Sequence, residues 1–309
     1  MDVMIELSGV SKSYGQIKAA ENISFKLNRS EILGFLGPNG AGKTTAMKII
    51  TGFMPPDSGS VKIKGEDVSE NPVETRKNIG YLPENNPLYT DMTVEEYLRF
   101  IALMRGLKNI DLSIKTALSK CGIFNVRHRI IGHLSKGYKQ RVGLAQAIIH
   151  DPEILILDEP VNGLDPKQIA EIRTLIRELG KEKTVILCSH ILSEVEAVAD
   201  RVLIINEGKI VADNTIENLR DKPGNGNTFI LELLEIPENL IEQIKSLAHV
   251  NKAEMTDAFT VKITAAGEKD TANMIFETAA KNRWKLSQLY LESNSLENMF
   301  LDLTEGGKQ

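Results

Sequence analysis

The sequence predicts an α/β fold in which strands and helices surround a phosphate-binding loop, with a small α+β domain following. Three observations carry that expectation. Apolar runs suited to buried strands alternate with helical stretches up to about residue 220. Gly37-Pro38-Asn39-Gly40-Ala41-Gly42-Lys43-Thr44 lies between one such run and a helix start. After a turn-rich stretch at 221–227, a second and shorter series of strands and helices begins.

Residues 3–10 alternate apolar and polar, as do Ile23-Ser24-Phe25-Lys26-Leu27, the period of a half-buried strand. Glu31 to Leu36 is apolar enough for a buried strand, and Thr45 to Ile50 reads as a helix start. A turn and a short strand follow at 58–65, and Ile79-Gly80-Tyr81-Leu82 is a strand ended by Pro83. Residues 93–150 are expected to be mainly helical, within a helical subdomain at about 85–150. Ile154 to Leu157 and Thr184 to Cys188 are unbroken apolar runs, as in strands covered on both faces. The helical stretch at 167–179 between them makes a β-α-β unit and hence parallel pairing. Val202 to Ile205 and Lys209 to Val211 flank the hairpin turn Asn206-Glu207-Gly208.

Residues 1–220 therefore read as one domain and 221–227 as a linker. Beyond it, 229–233, 258–264 and 286–291 read as strands, and 238–248, 271–283 and 296–303 as helices. The expected result is an accessory domain at 228–309 of a ferredoxin-like kind, with Met274, Phe276, Met299 and Phe300 in its core. It shows no catalytic constellation.

Composition narrows the function classes. The 309 residues suffice for about two domains at roughly 150 each. Hydrophobic residues make up 42% and charged residues 26%, ordinary for a soluble globular chain. Thirty-seven basic against forty-two acidic residues leave a net charge of −5, without a general electrostatic footprint for nucleic acid. No apolar run approaches the roughly 20 residues that span a bilayer. Met1 to Glu6 lacks the basic and apolar regions of a secretory signal. Cys121 and Cys188 fit neither a disulfide framework nor a zinc site. They read as small buried hydrophobes in a reducing, cytoplasmic compartment.

The loop at 37–44 satisfies G-x-x-x-x-G-K-[ST] in the strand-loop-helix context that makes it a phosphate site. Glycines let backbone N–H groups turn inward, and the helix N-terminus adds partial positive charge. Lys43 would reach β- and γ-phosphates and the Thr44 hydroxyl would ligate Mg²⁺, with Thr45 next on the helix. Ile154-Leu155-Ile156-Leu157 delivers Asp158 and Glu159 to a strand's carboxyl end, where ligands bind in open α/β sheets. Asp158 is the candidate for the Mg²⁺ shell and Glu159 for the general base. Just upstream, Leu134-Ser135-Lys136-Gly137-Tyr138 combines a serine, a glycine and a helix start, a second phosphate-facing element. Asn162-Gly163-Leu164-Asp165 follows the acidic pair. His190 ends another strand of the same sheet and is expected at the same edge, able to bond a γ-phosphate oxygen.

These motifs, in this order and spacing, make residues 1 to about 220 resemble the nucleotide-binding subunit of an ATP-binding-cassette (ABC) transporter. The resemblance implies a P-loop NTPase cassette with a mixed sheet and a helical subdomain, binding ATP with Mg²⁺ and hydrolysing it. Tyr14, in Lys12-Ser13-Tyr14-Gly15, matches the aromatic residue that stacks on adenine. Ser135 and Gly137 match the signature motif that contacts a nucleotide held by the other subunit, Asp165 the D-loop and His190 the switch histidine. A head-to-tail homodimer with two sandwiched ATPs is implied. So is a separately encoded membrane permease, with this subunit peripheral on the cytoplasmic face of the cell membrane.

Two positions depart from the family pattern. Glu84 stands where glutamine is usual; a carboxylate is still a hard oxygen ligand for Mg²⁺. Lys136 replaces the first signature glycine and adds a cation. Residues 84–91 and Ser295 to Thr304 resemble the exporter-type branch with sodium-efflux, multidrug and gliding-motility ATPases, the last most of all. A soluble ATPase acting on ribosomes or DNA is disfavoured by the single cassette, the lack of a coiled-coil insertion and the acidic balance. A nucleotide sensor without hydrolysis is disfavoured by Glu159 and His190.

Overall fold

The computed structural model describes residues 2–220, 227–265 and 269–292. Residues 221–226 of the expected linker 221–227, and the expected helix at 296–303 with Met299 and Phe300, lie outside the described residues, while Asn227 already belongs to a strand. Contacts divide the chain into two compact units, Met1–Ile216 and Glu217–Gln309.

The first unit opens with the antiparallel pair β1 (Val3–Tyr14) and β2 (Ile17–Asn28), whose alternating Ile5, Leu7, Ile23, Phe25 and Leu27 are buried. β3 (Ile32–Leu36) is buried throughout. α1 (Lys43–Ile50) starts at Lys43 rather than Thr45, so Lys43 and Thr44 belong to its first turn. β4 (Ser58–Ile63) and the short β5 (Glu66–Asp67) complete an antiparallel sheet in the order β2-β1-β4-β5. α2 (Pro72–Lys77) is an unanticipated helix with proline in its first turn, where the missing N–H is harmless. β6 (Ile79–Leu82) follows it.

The region expected to be helical holds α3 (Val94–Met104), α4 (Ile110–Lys120) and α5 (Lys136–Ile148). A capping box starts α3: Thr93 Oγ1 accepts from the Glu96 N–H, and the Glu96 carboxylate accepts from the Thr93 N–H. The chain continues with β7 (Ile154–Asp158), α6 (Pro166–Gly180), β8 (Thr184–Ser189), α7 (Leu192–Glu196), β9 (Arg201–Asn206) and β10 (Lys209–Thr215). α8 (Ile216–Arg220) spans the division between the units.

The second sheet of this unit is mixed, in the order β10-β9-β3-β8-β7-β6. Its pairs are parallel except the β9-β10 hairpin. β7 shows why its apolar run is unbroken. Ile154 and Ile156 enter a cluster shared with β1, β2 and α1, while Leu155 and Leu157 enter one shared with α3 to α6. Parallel β3, β7 and β8 thus bring their carboxyl ends, and the Gly37, Glu159 and His190 that follow, to one edge.

In the second unit, β11 (Asn227–Leu233), α9 (Leu240–Lys245), β12 (Val250–Asp257), β13 (Thr260–Ala265), α10 (Lys269–Lys281) and β14 (Leu286–Glu292) follow in turn. The antiparallel sheet is ordered β12-β13-β11-β14. β12 was not among the expected strands: only Ala253 is buried along it, so this edge strand carries no alternation. α10 turns Thr271, Ile275 and Ala279 inward. Phe276 is 58% exposed and Met274 only half-buried, which corrects the expectation that both fill the core. One residue past Ile275 is a rotation of roughly 100° around the helix, away from the sheet.

Candidate active site

The phosphate loop owes its shape to Gly42. Its φ is 105°, and a Cβ there would strike the Ala19 carbonyl, so a larger residue is excluded twice over. α1 begins directly behind it and points its first free N–H groups at the loop. Lys43 is buried, with Nζ donating to the carbonyls of Gly37 (2.8 Å) and Pro38 (3.2 Å).

Glu159 follows β7 with φ of 49°, in the left-handed region. A non-glycine residue there costs on the order of 1 kcal/mol and persists only where surrounding contacts enforce it. Its N–H donates to the Cys188 carbonyl at 3.0 Å, which holds the turn against β8. The carboxylate lies 3.7 Å from Lys43 Nζ and accepts a hydrogen bond from His190 Nδ1 at 2.9 Å. An ionised carboxylate can only accept, so Nδ1 carries the proton.

Asp158 is completely buried, and neither carboxylate oxygen has a hydrogen-bond partner. Burial pushes its carboxyl up to about 6; the Thr44 hydroxyl beside it pulls the other way, and Glu159 and Glu84 add to the rise. A carboxylate at this depth with only the Thr44 hydroxyl beside it suits a hard divalent cation. Thr44 and Glu84 supply further oxygen donors on the same cavity. Among the described residues no three His, Cys, Asp or Glu side chains could hold a metal ion together. Asp158, Thr44 and Glu84 are the oxygen donors that could hold such a cation here.

A cavity of about 620 Å³ opens over these groups. Its lining includes Tyr14, Asn39, Gly40, Gly42, Lys43, Thr44, Thr45, Glu84, Glu159 and His190, all singled out from sequence. Gly37, Pro38, Ala41 and Asp158, also expected at the site, are not among its lining residues; Gly37, Ala41 and Asp158 are buried. Tyr14 stands at the surface, 47% exposed, with its hydroxyl 3.2 Å from Met54 Sδ. Sequence reasoning missed Ala19 and Asn162 as lining residues. Asn162 stood three positions from Glu159 and could have been found; Ala19 carries no chemical signal.

Ser135, Gly137 and Asp165 are not brought to this cavity. Ser135 caps α5, its Oγ accepting from the Tyr138 N–H, and Asp165 caps α6, accepting from the Gln168 N–H at 2.9 Å. Gly137 and Asp165 line a separate cavity of about 270 Å³ with Arg141, Gln168 and Glu171. A Cβ on Gly137 would come within 2.5 Å of the Gln168 side-chain oxygen. Both cysteines are buried and unpaired.

Strand, glycine loop, helix, acidic pair and histidine at one sheet edge define a nucleotide-hydrolysing cassette, and comparison with known proteins says which. Residues 20–162 match the ABC transporter family. The chain is 32% identical over 305 residues to the linearmycin resistance ATP-binding protein of Bacillus subtilis, covering 97% of this chain and 98% of that one. It is 33% identical over 311 residues to the bacitracin transport ATP-binding protein of Bacillus licheniformis, covering 99% of each. A solved ATP-binding subunit of an ABC transporter aligns with a TM-score of 0.65 at 31% identity, over 72% of this chain and 93% of that one. The chain belongs to the ABC transporter ATP-binding proteins. It is an ATPase, the ATP-binding and ATP-hydrolysing subunit of a transporter. No helix among the described residues is long and apolar enough to cross a membrane.

Proposed function

We propose that this subunit powers export through a separately encoded membrane permease, and that it hydrolyses ATP with the residues gathered at the first cavity. One observation carries the site: Glu159, bonded to His190 and close to Lys43, directly follows the buried carboxylate of Asp158. Phosphate oxygens would take the N–H groups at the start of α1. Lys43 would exchange the Gly37 and Pro38 carbonyls for β- and γ-phosphate oxygens. Tyr14 offers its exposed ring to adenine. Thr44, Asp158 and Glu84 would hold Mg²⁺, which supplies charge neutralisation on the phosphates. Glu159 takes a proton from the attacking water as the water oxygen bonds to the γ-phosphorus and ADP departs. With Nδ1 committed to Glu159, His190 keeps Nε2 for a γ-phosphate oxygen, to which it donates when the ring is doubly protonated.

The separation of Ser135, Gly137 and Asp165 from this cavity supports a head-to-tail homodimer in which each subunit completes the other's site. A groove of about 290 Å³ lined by Tyr81, Ile101, Met104, Arg105, Gln146 and Ala147, beside the exposed Leu103, supports docking of the permease on the cytoplasmic face of the membrane. The relatives' roles in linearmycin resistance and bacitracin transport support export as the direction. The net charge of −5 gives no support to a nucleic-acid partner. Residues 1–220 serve as the ATP-binding domain and 228–309 as an accessory, ferredoxin-like domain, a reading supported by its β-α-β-β-α-β order.

Phosphate release by the purified chain, with Mg²⁺ and after chelation, tests the site; release should stop on chelation and return with Mg²⁺. Light scattering of Glu159→Gln with ATP should show dimer. Full turnover by a strict monomer would overturn the shared-site arrangement.

A further inference from the structure

Ser189 is the last residue of β8 and is completely buried. Its carbonyl accepts from the N–H of Gly37, the first residue of the phosphate loop, at 3.4 Å. Its Oγ accepts from the Ile191 N–H at 3.0 Å and donates to Glu194 Oε2 at 2.6 Å. Glu194 lies on α7, is 5% exposed, and its own N–H donates to the Ile191 carbonyl at 3.2 Å. His190 is the residue enclosed by these bonds, and its ring reaches Glu159.

We propose that Ser189 and Glu194 are a positioning pair that aims His190 at Glu159 and the phosphate loop, and that the rate of hydrolysis depends on it. The proposal rests on the hydrolytic reading of Glu159 and His190 given above. A carboxyl group is a costly way to fill the inward face of a short helix, since burial disfavours its ionised form. Burial indeed pushes the Glu194 carboxyl above its usual range, and the Ser189 hydrogen bond opposes the rise. On the same helix Leu192 and Val195 fill space without that cost. What the carboxylate adds is direction. It accepts a hydrogen bond from the Ser189 hydroxyl, so an Oγ lone pair is left to face the Ile191 N–H. The peptide units on both sides of His190 are then fixed. The imidazole leaves the strand end toward Glu159 and not toward the solvent that its 35% exposed side chain could otherwise enter. The Gly37 bond registers the same turn against the phosphate loop.

Steady-state ATP hydrolysis by the full chain tests the pair. Glu194→Ala should lower kcat about tenfold, the scale of a small misplacement, while KM for ATP stays within about twofold because the phosphate loop is untouched. Glu194→Gln keeps an acceptor oxygen and should recover most of the loss. Ser189→Ala removes only a hydroxyl and should reproduce the fall; it serves if Glu194→Ala does not fold, as judged by thermal melting. Added to His190→Ala, either change should cost nothing further, because the pair acts through that ring. Parental kcat in both single variants overturns the proposal, as does an undiminished further loss in the His190→Ala background. If His190→Ala itself keeps parental turnover, the hydrolytic reading of His190 falls first; if it is inactive while the pair variants are active, only the positioning role falls.

Discussion

The two cavities of the cassette hold their chemistry in opposite ways. In the first, buried charge gathers at one sheet edge: Asp158 ends β7, Glu159 follows it, Lys43 opens α1, and all three side chains are buried. In the second, Gly137 from the first turn of α5 and Asp165, the cap of α6, share a smaller cavity with Arg141, Lys167 and Glu171. A buried, preorganised charge set can bind a phosphate chain by itself. Two capped helix ends offer weak partial charges and need a ligand delivered to them. In the proposed shared-site arrangement, the first cavity would hold the nucleotide and the second would meet the one held by another copy. His150 ties α5 to the sheet. This residue follows the C-terminal end of α5, and its Nε2 donates at 3.1 Å to the Ile79 carbonyl on β6.

The contrast can be broken from either side. Glu159→Gln should keep ATP binding and lower turnover about 10²- to 10⁴-fold, the usual worth of a general base. Turnover within threefold of the parent in a phosphate-release assay would remove Glu159 from the chemistry. Gly137→Ala forces a methyl against the Gln168 amide in the second cavity. Turnover should drop about 10²-fold, as on loss of an aligned donor, with ATP affinity of the isolated chain unchanged by calorimetry. Lys43→Ala should do the reverse and weaken ATP affinity about 10- to 100-fold, the value of one charge-assisted hydrogen bond. If both variants changed affinity alike, the division into a holding and a sensing half would be wrong.

The junction is probed by acid. Burial holds His150 down to about 4, against an ordinary 6.5. As pH falls through 6.5 the unfolded chain gains this proton and the native chain does not until about 4, so the unfolded state binds more protons and stability falls across that window. His150→Gln, which keeps a donor for the Ile79 carbonyl, should flatten the fall in melting temperature; an unchanged slope would deny His150 that role. The smallest effect is expected from ending the chain at Leu219. All candidate phosphate-site residues lie before it, so ATP turnover should persist if the truncated chain folds. Loss of nucleotide binding in a folded truncation would show that the second unit completes the site.

Some of this was legible from residues alone, because the parts lie within a few bonds of one another. The phosphate loop is eight consecutive residues whose glycines, lysine and following helix impose their own geometry. Ile154 to Leu157 announces a strand buried on both faces, and Asp158 and Glu159 must follow at its end. Relations between distant segments were another matter. Ala19 reaches the cavity because β2 passes beside Gly42, and Glu159 is forced into a left-handed turn by the Cys188 carbonyl of the neighbouring strand. β12 and the exposed Phe276 escaped because an edge strand and a helix's rotation are set by what packs against them. The same holds for the distance between the two cavities. The sequence by itself determined which groups could do the chemistry, since their identity and local backbone are encoded in short contiguous runs. Only the tertiary structure decided which of them meet, since strand order and helix packing join residues that the chain keeps far apart.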